Sequence, residues 1–202
     1  MSDVSTSRQW GYASSIEQFR RSEPHLVLGA ISADAKGSIE AEQRDAWLGQ
    51  IAILQAVLTG QIGSGQIYFE FLIPRIGRRV DVVLILEHVL LTVEFKVGET
   101  SFGRSAIEQA WDYALDLKNF HDASHHLTIV PVLVATMAKA ASCSSRLSVR
   151  PDGVADPILC NAVNLQQALQ DVVAETTGAP IDFRKWEAGR YLPTPTIVEA
   201  AK

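Results

Sequence analysis

A chain of 202 residues with 47% hydrophobic content and a formal charge of −5 is long enough for one globular domain with a sizeable core, or for one domain and a tail. That acidic balance argues against a protein that coats nucleic acid through bulk positive charge, while leaving room for local basic patches. Cys143 and Cys160 are the only cysteines, too few for a disulfide framework or a four-thiolate zinc site, and no apolar run approaches the ~18 residues of a membrane span. The expectation is a soluble, cytoplasmic protein.

In chain order, residues 11–21 read as a short amphipathic helix with Ile16 and Phe19 buried, and residues 25–31 as an apolar run of either type. Between residues 38 and 59, Trp47, Ile51, Leu54 and Leu58 recur at helical spacing, with Ser38 as N-cap and Gly60 as stop. Gln66–Ile73 predicts a strand running into Pro74, and residues 74–79 form a basic turn. Residues 80–86 and Val89–Lys96 are β-branched and apolar runs about the polar break Glu87-His88, which reads as a hairpin. A loop at 98–103 leads into a helix from Arg104 to about His121, with Ile107, Ala110, Trp111, Ala114 and Leu117 on its buried stripe. Residues 127–136 are nearly continuous in apolar character, as in a strand covered on both faces, although Pro131 predicts an edge or a bulge. A loop over 142–157 precedes a short strand, Ile158–Cys160, and a helix over 165–174. Strands alternating with helices predict a mixed β-sheet flanked by helices, an α/β architecture. The domain is expected to span residues 1–182; residues 183–202, containing Trp186, Tyr191, Pro193 and Pro195, read as a linker or docking tail.

The chemistry concentrates in the hairpin. A two-residue loop sets Leu86 against Val89 and therefore Asp81 against Glu94, with β-carbons about 5 Å apart. A symmetric four-residue loop gives the same pairing; an odd-length loop staggers it and leaves the two acids unrelated, and Glu-His is poor type I′ turn chemistry. Like charges directly opposite on a sheet need a shared proton or a cation. Alternation puts Thr92, Glu94 and Lys96 on the face of Asp81 and turns Val93, Phe95 and Val97 away. Two carboxylates with water and backbone oxygens suit a hard divalent ion, Mg²⁺ or Mn²⁺, which can lower the pKa of water and stabilise charge on a phosphoryl oxygen. Lys96 would position or help deprotonate the attacking water, or hold the scissile phosphate. The competing reading is an ordinary acid–lysine ion pair on a hairpin.

Asp81, the intervening spacing and Glu94-Phe95-Lys96 resemble the metal-binding motif of the PD-(D/E)XK nuclease superfamily, with Val80 where that motif has proline. On the following helix, Gln109-Ala110-Trp111-Asp112-Tyr113 is similar to the Gln-x-x-x-Tyr signature of its RecB-like members, and i, i+4 spacing places both polar groups on one helical face. The same two residues would also suit a polar stripe at a helix edge. The resemblance implies a restriction-endonuclease-like sheet, catalytic roles for Asp81, Glu94, Lys96, Gln109 and Tyr113, and an acidic metal ligand on the first long helix. Glu40, seven residues before Trp47, falls on the buried stripe and is preferred to Glu42 for that ligand; both also suit first-turn acids. Arg75, Arg78, Arg79, Arg104 and Lys118 flank the motif and are candidates for phosphate contacts or a solvated rim.

A narrower resemblance rests on residues 93–98, 111–121 and 191–196. It is to the nuclease-like N-terminal region of bacterial Schlafen-type DNA/RNA helicases. No Gly-x-x-x-x-Gly-Lys-Ser/Thr run occurs here, so this chain is not itself expected to be that ATPase: either it is a stand-alone or truncated relative, or the helicase or ATPase motor is a separate partner. The implied function is metal-dependent cleavage of DNA or RNA; the alternative is a catalytically silent nucleic-acid-binding or assembly module on the same scaffold.

Overall fold

The computed structural model describes residues 9–35, 40–74, 77–144 and 146–191. Its centre is a six-stranded mixed sheet in the order β1-β2-β3-β4-β5-β6. The strands are β1 (Tyr12–Ser15), β2 (Gln66–Ile73), β3 (Arg78–Leu86), β4 (Val89–Lys96), β5 (Thr128–Ala135) and β6 (Ile158–Cys160). The first four form an antiparallel meander, and β4, β5 and β6 run parallel. A parallel pair cannot be joined by a tight turn, so α4 (Arg104–Phe120) carries the chain from β4 across to β5.

Helices cover both faces, which is why β3, β4 and β5 read as unbroken apolar runs. On one face Phe69, Val82, Leu91, Val93 and Phe95 pack with α1 (Ile16–Arg21), α2 (Pro24–Asp34), α3 (Ala41–Val57) and α5 (Leu165–Glu175). On the other, Tyr68, Val83, Ile85 and Leu90 pack with Tyr113, Ala114 and Leu117 of α4 and Trp186 of α6 (Phe183–Glu187). Among the described residues, no helix is long and apolar enough to cross a membrane.

Four segments differ from expectation. Residues 12–15 form edge strand β1, and the helix begins only at Ile16, capped by the Ser15 hydroxyl, which accepts from the Gln18 amide at 3.2 Å. On α4 the buried stripe is Ala106, Ala110, Tyr113, Ala114 and Leu117; Ile107 and Trp111 lie on its flank, the indole beneath the Arg150 guanidinium at 3.9 Å. Pro131 stands in an interior strand, because its missing donor falls between the Ile129–Val154 bridge and the first β5–β6 pair, Val132–Ile158. Residues 183–191 are part of the fold. Trp186 is 1% exposed, its indole N–H donates to the Ser124 hydroxyl at 2.8 Å, and Tyr191 bridges to His121. Ser38, Arg75 and residues 192–202 lie outside the described residues.

Candidate metal centre at a fork in the sheet

The β3–β4 ladder begins at Leu86↔Val89, across a two-residue turn, and ends at Val82↔Val93. Glu87 takes a positive φ of 51° in that turn, the backbone state its side chain disfavours. Beyond Val82 and Val93 the outer ladders continue, β2–β3 to Ile73↔Arg78 and β4–β5 to Lys96↔Ala135. The sheet therefore forks between β3 and β4. Asp81 sits at the fork in place of a ladder acceptor, its Oδ2 receiving the Phe95 amide at 2.7 Å. Continuing the register sets Asp81 opposite Glu94, the pairing expected of an even-length turn.

Glu70 occupies the matching position on β2, between the pairs Phe69↔Val82 and Phe71↔Val80, with a positive φ of 52°. Side-chain alternation breaks there: Phe69 and Val82 join one core, while Phe71 and Val80 join the other. This irregularity in β2 and β3 falls at the level where the β3–β4 ladder ends. The Glu70 carboxylate accepts the Trp47 indole N–H at 2.8 Å, and the Arg79 guanidinium donates to the Glu70 carbonyl at 2.7 Å. A surface cavity of about 340 Å³ opens beside these residues, also lined by Asp34 and Gly77.

From the α4 side a chain of polar contacts enters the fork. The Lys96 ammonium donates to Glu94 Oε1 at 2.9 Å and to Gln109 Oε1 at 3.2 Å, and Gln109 Nε2 donates to the Tyr113 hydroxyl at 2.8 Å. Glu94, Lys96, Gln109 and Tyr113 are thus joined in one network whose far end is anchored by Tyr113, buried on the inner stripe of α4. Glu94 is 4% exposed, and its Oε2 accepts no hydrogen bond from any described residue.

Burial pushes the Asp81 carboxyl well above the ordinary carboxylate range, and the neighbouring Glu94 charge adds to it; the Phe95 amide opposes. Glu94 is raised by burial against the pull of Lys96, and Glu70 by burial against Trp47 and Arg79. The Tyr113 phenol is raised by burial, with Glu94 and Asp81 adding to the rise while Gln109 and Arg78 oppose it. Two buried acids beside one ammonium leave the fork receptive to positive charge, and carboxylate oxygens, one of them buried without a donor, suit a hard divalent cation. Among the described residues, no group of three His, Cys, Asp or Glu side chains is placed to hold a metal ion; the acids that approach one another at the fork are Asp81 and Glu94.

The remaining candidates are dispersed. Glu40 is the N-cap of α3 with extended backbone, outside the helix whose stripe it was expected to join, and it is exposed, as is Glu42 in the first turn. Arg78 is exposed and close enough to oppose the rise of Tyr113. Arg79 is occupied by Asp34 at 2.8 Å, and Arg104, 92% exposed, pairs with Glu108. Lys118 donates to the Leu127 carbonyl at 2.7 Å, nine residues or about 13 Å along α4 from Gln109. Sequence reasoning missed Glu70. The signal for Glu70 was a single acid inside an otherwise apolar strand, Tyr68-Phe69-Glu70-Phe71. No family profile matches the chain, and no curated protein or solved structure is significantly similar to it.

Proposed function

We propose that this chain is a metal-dependent nuclease, similar in its site to the PD-(D/E)XK superfamily, that hydrolyses phosphodiester bonds in DNA or RNA. The observation that carries the reading is the approach of the Asp81 and Glu94 side chains where the β3–β4 ladder ends, with the Lys96 ammonium shared between Glu94 and Gln109.

Asp81 and Glu94 would hold Mg²⁺ or Mn²⁺, an ion whose chemistry is to acidify water and stabilise charge on a phosphoryl oxygen. Asp81 is fixed by the Phe95 amide, so its free oxygen has a defined direction. Lys96 is held by two acceptors and has a third donor left to orient water or a phosphate oxygen beside the acids. Gln109 and Tyr113 are positioning residues: Tyr113 orients the amide of Gln109, whose oxygen in turn orients Lys96. Arg78, exposed near Tyr113, is the basic residue best disposed to meet the phosphate backbone. A helicase or ATPase working with this chain, and action in the cytoplasm, are part of the proposal.

The test is incubation of the chain with mixed single- and double-stranded DNA and RNA across a Mg²⁺ and Mn²⁺ titration. Metal-dependent cleavage, abolished by Asp81→Ala and reduced ~10²–10⁴-fold by Lys96→Ala, supports the enzyme. Binding without cleavage would instead identify a catalytically silent nucleic-acid-binding module, and neither binding nor cleavage an assembly domain.

A further inference from the structure

Glu70 is a residue that packing of the sheet does not explain. It interrupts an apolar strand, takes a positive φ of 52° that its side chain disfavours, and is held above the ordinary carboxylate range by burial. Strain and desolvation of this kind concentrate at sites of binding and catalysis. The position of Glu70 is also particular. The β2–β3 register passes from Phe69↔Val82 to Phe71↔Val80, so Glu70 is the cross-strand neighbour of Asp81, about 5 Å away by strand spacing. Its charge reaches the fork, where it raises both Asp81 and Glu94.

Glu70 lines the surface cavity of about 340 Å³, together with the polar residues Asp34 and Arg79 and the apolar surfaces of Ile31, Leu72 and Trp47. Glu70 Oε1 accepts the Trp47 indole N–H at 2.8 Å, and its other oxygen has no hydrogen bond among the described residues. Arg79 donates to the Glu70 carbonyl at 2.7 Å and pairs with Asp34 at 2.8 Å, which leaves further N–H donors on its guanidinium. Two carboxyl groups against one guanidinium make this cavity a poor receiver of phosphate. Donors and acceptors side by side on apolar walls suit a flat, uncharged heterocycle.

Resting on the nucleic-acid part of the reading above, we infer that the cavity receives an unpaired nucleobase carrying an amino group (adenine, cytosine or guanine, in preference to thymine or uracil) from a strand lying along the fork. The carboxyl groups of Glu70 and Asp34 accept from the exocyclic amino group, which thymine and uracil lack, and Arg79 donates to a ring nitrogen or carbonyl oxygen of the base. Trp47 is a positioning residue, its indole N–H fixing the Glu70 carboxyl. A base enters such a cavity only when it is out of the duplex stack, so the substrate is single-stranded at that nucleotide.

The experiment is done in chelator, so that nothing is cut. Fluorescence anisotropy measures binding of labelled single strands of one length, made of adenine, cytosine or thymine deoxynucleotides, to the wild type, Glu70→Gly and Ala35→Leu. Glu70→Gly removes the carboxyl and relieves the positive φ, while Ala35→Leu fills the cavity and leaves Glu70 in place; a thermal melt establishes that each is folded. The wild type is expected to bind the adenine and cytosine strands ~10-fold more tightly than the thymine strand, and both variants to bind all three at the thymine level. Equal binding of the three strands by the wild type, a preference retained by either folded variant, or no binding of any strand overturns the inference. If the preference is found and lost as expected but Mg²⁺ and Mn²⁺ support no cleavage, base recognition stands and the nuclease reading fails. If cleavage depends on Asp81 and Lys96 while the three strands bind alike, the nuclease reading stands and this inference fails.

Discussion

Asp81 is the residue on which folding and chemistry conflict most directly. Its carboxyl is raised by burial and by Glu94, so between the ordinary carboxylate pKa and the raised one the folded state binds a proton that the unfolded chain lacks. Without metal, stability must then fall as pH rises through that window. Asp81→Asn keeps an acceptor for the Phe95 amide and removes the charge; in chelator at pH 7 it is expected to raise unfolding free energy by ~1–3 kcal/mol. The gap from wild type should close toward pH 4, and denaturant titrations at a series of pH values read it directly. For the same reason, Mg²⁺ binding should expel protons, detectable as a buffer-dependent heat that Asp81→Asn loses.

His121 has the opposite sign. Burial lowers its pKa from 6.5 to about 4, so the unfolded chain binds the extra proton and stability falls as pH drops through that interval. The loss attributable to this one side chain reaches about 3 kcal/mol below pH 4. His121→Gln is expected to flatten the profile between those values, provided the fold tolerates the amide between Ser124 and Trp186, which a thermal melt at pH 8 establishes.

At the scale of elements, the β3–β4 turn and α4 do different work. The turn sets the register that brings Asp81 to Glu94, and it does so with a strained Glu87. Glu87→Gly relieves the positive φ and is expected to leave stability unchanged or raise it by up to ~1 kcal/mol in denaturant unfolding, without altering metal affinity. Helix α4 then presents Gln109 and Tyr113 to Lys96 from a stripe of small residues, Ala106, Ala110 and Ala114, that allows the helix to lie close to the sheet. The spacing of Gln109 and Tyr113 was legible as one helical face. That this face is the inner one was obscured by Trp111, whose bulk suggested burial and whose actual cover is Arg150.

At the scale of the molecule, the two faces of the sheet are closed by segments far apart in sequence. The face carrying α4 depends on Trp186, which contacts Tyr68, Phe71 and His121, and on the Ile181 amide donating to the Glu87 carbonyl at 2.7 Å. A boundary at residue 182 would expose that core. Trp186→Ala is expected to cost ~3–5 kcal/mol, and a chain ending at 182 to unfold at lower denaturant with a less cooperative transition. The fork is likewise a property of the whole sheet, since it needs β2–β3 and β4–β5 to remain paired where β3–β4 is not.

The chain's pattern by itself determined the strands Gln66–Ile73 and Val89–Lys96, the long helices, the two-residue turn that sets Leu86 against Val89, and the shared face of Glu94 and Lys96. These follow from periods of two and 3.6 and from the parity of a turn, all local quantities. Only the tertiary structure decided that the ladder parts beyond Val82, that Glu70 stands close to Asp81 and Glu94, that Glu40 stands exposed outside its helix, and that residues 183–191 belong to the core. Each of these depends on how strands twist and which distant side chains fill the space beside them, and packing of that kind leaves no period in the sequence.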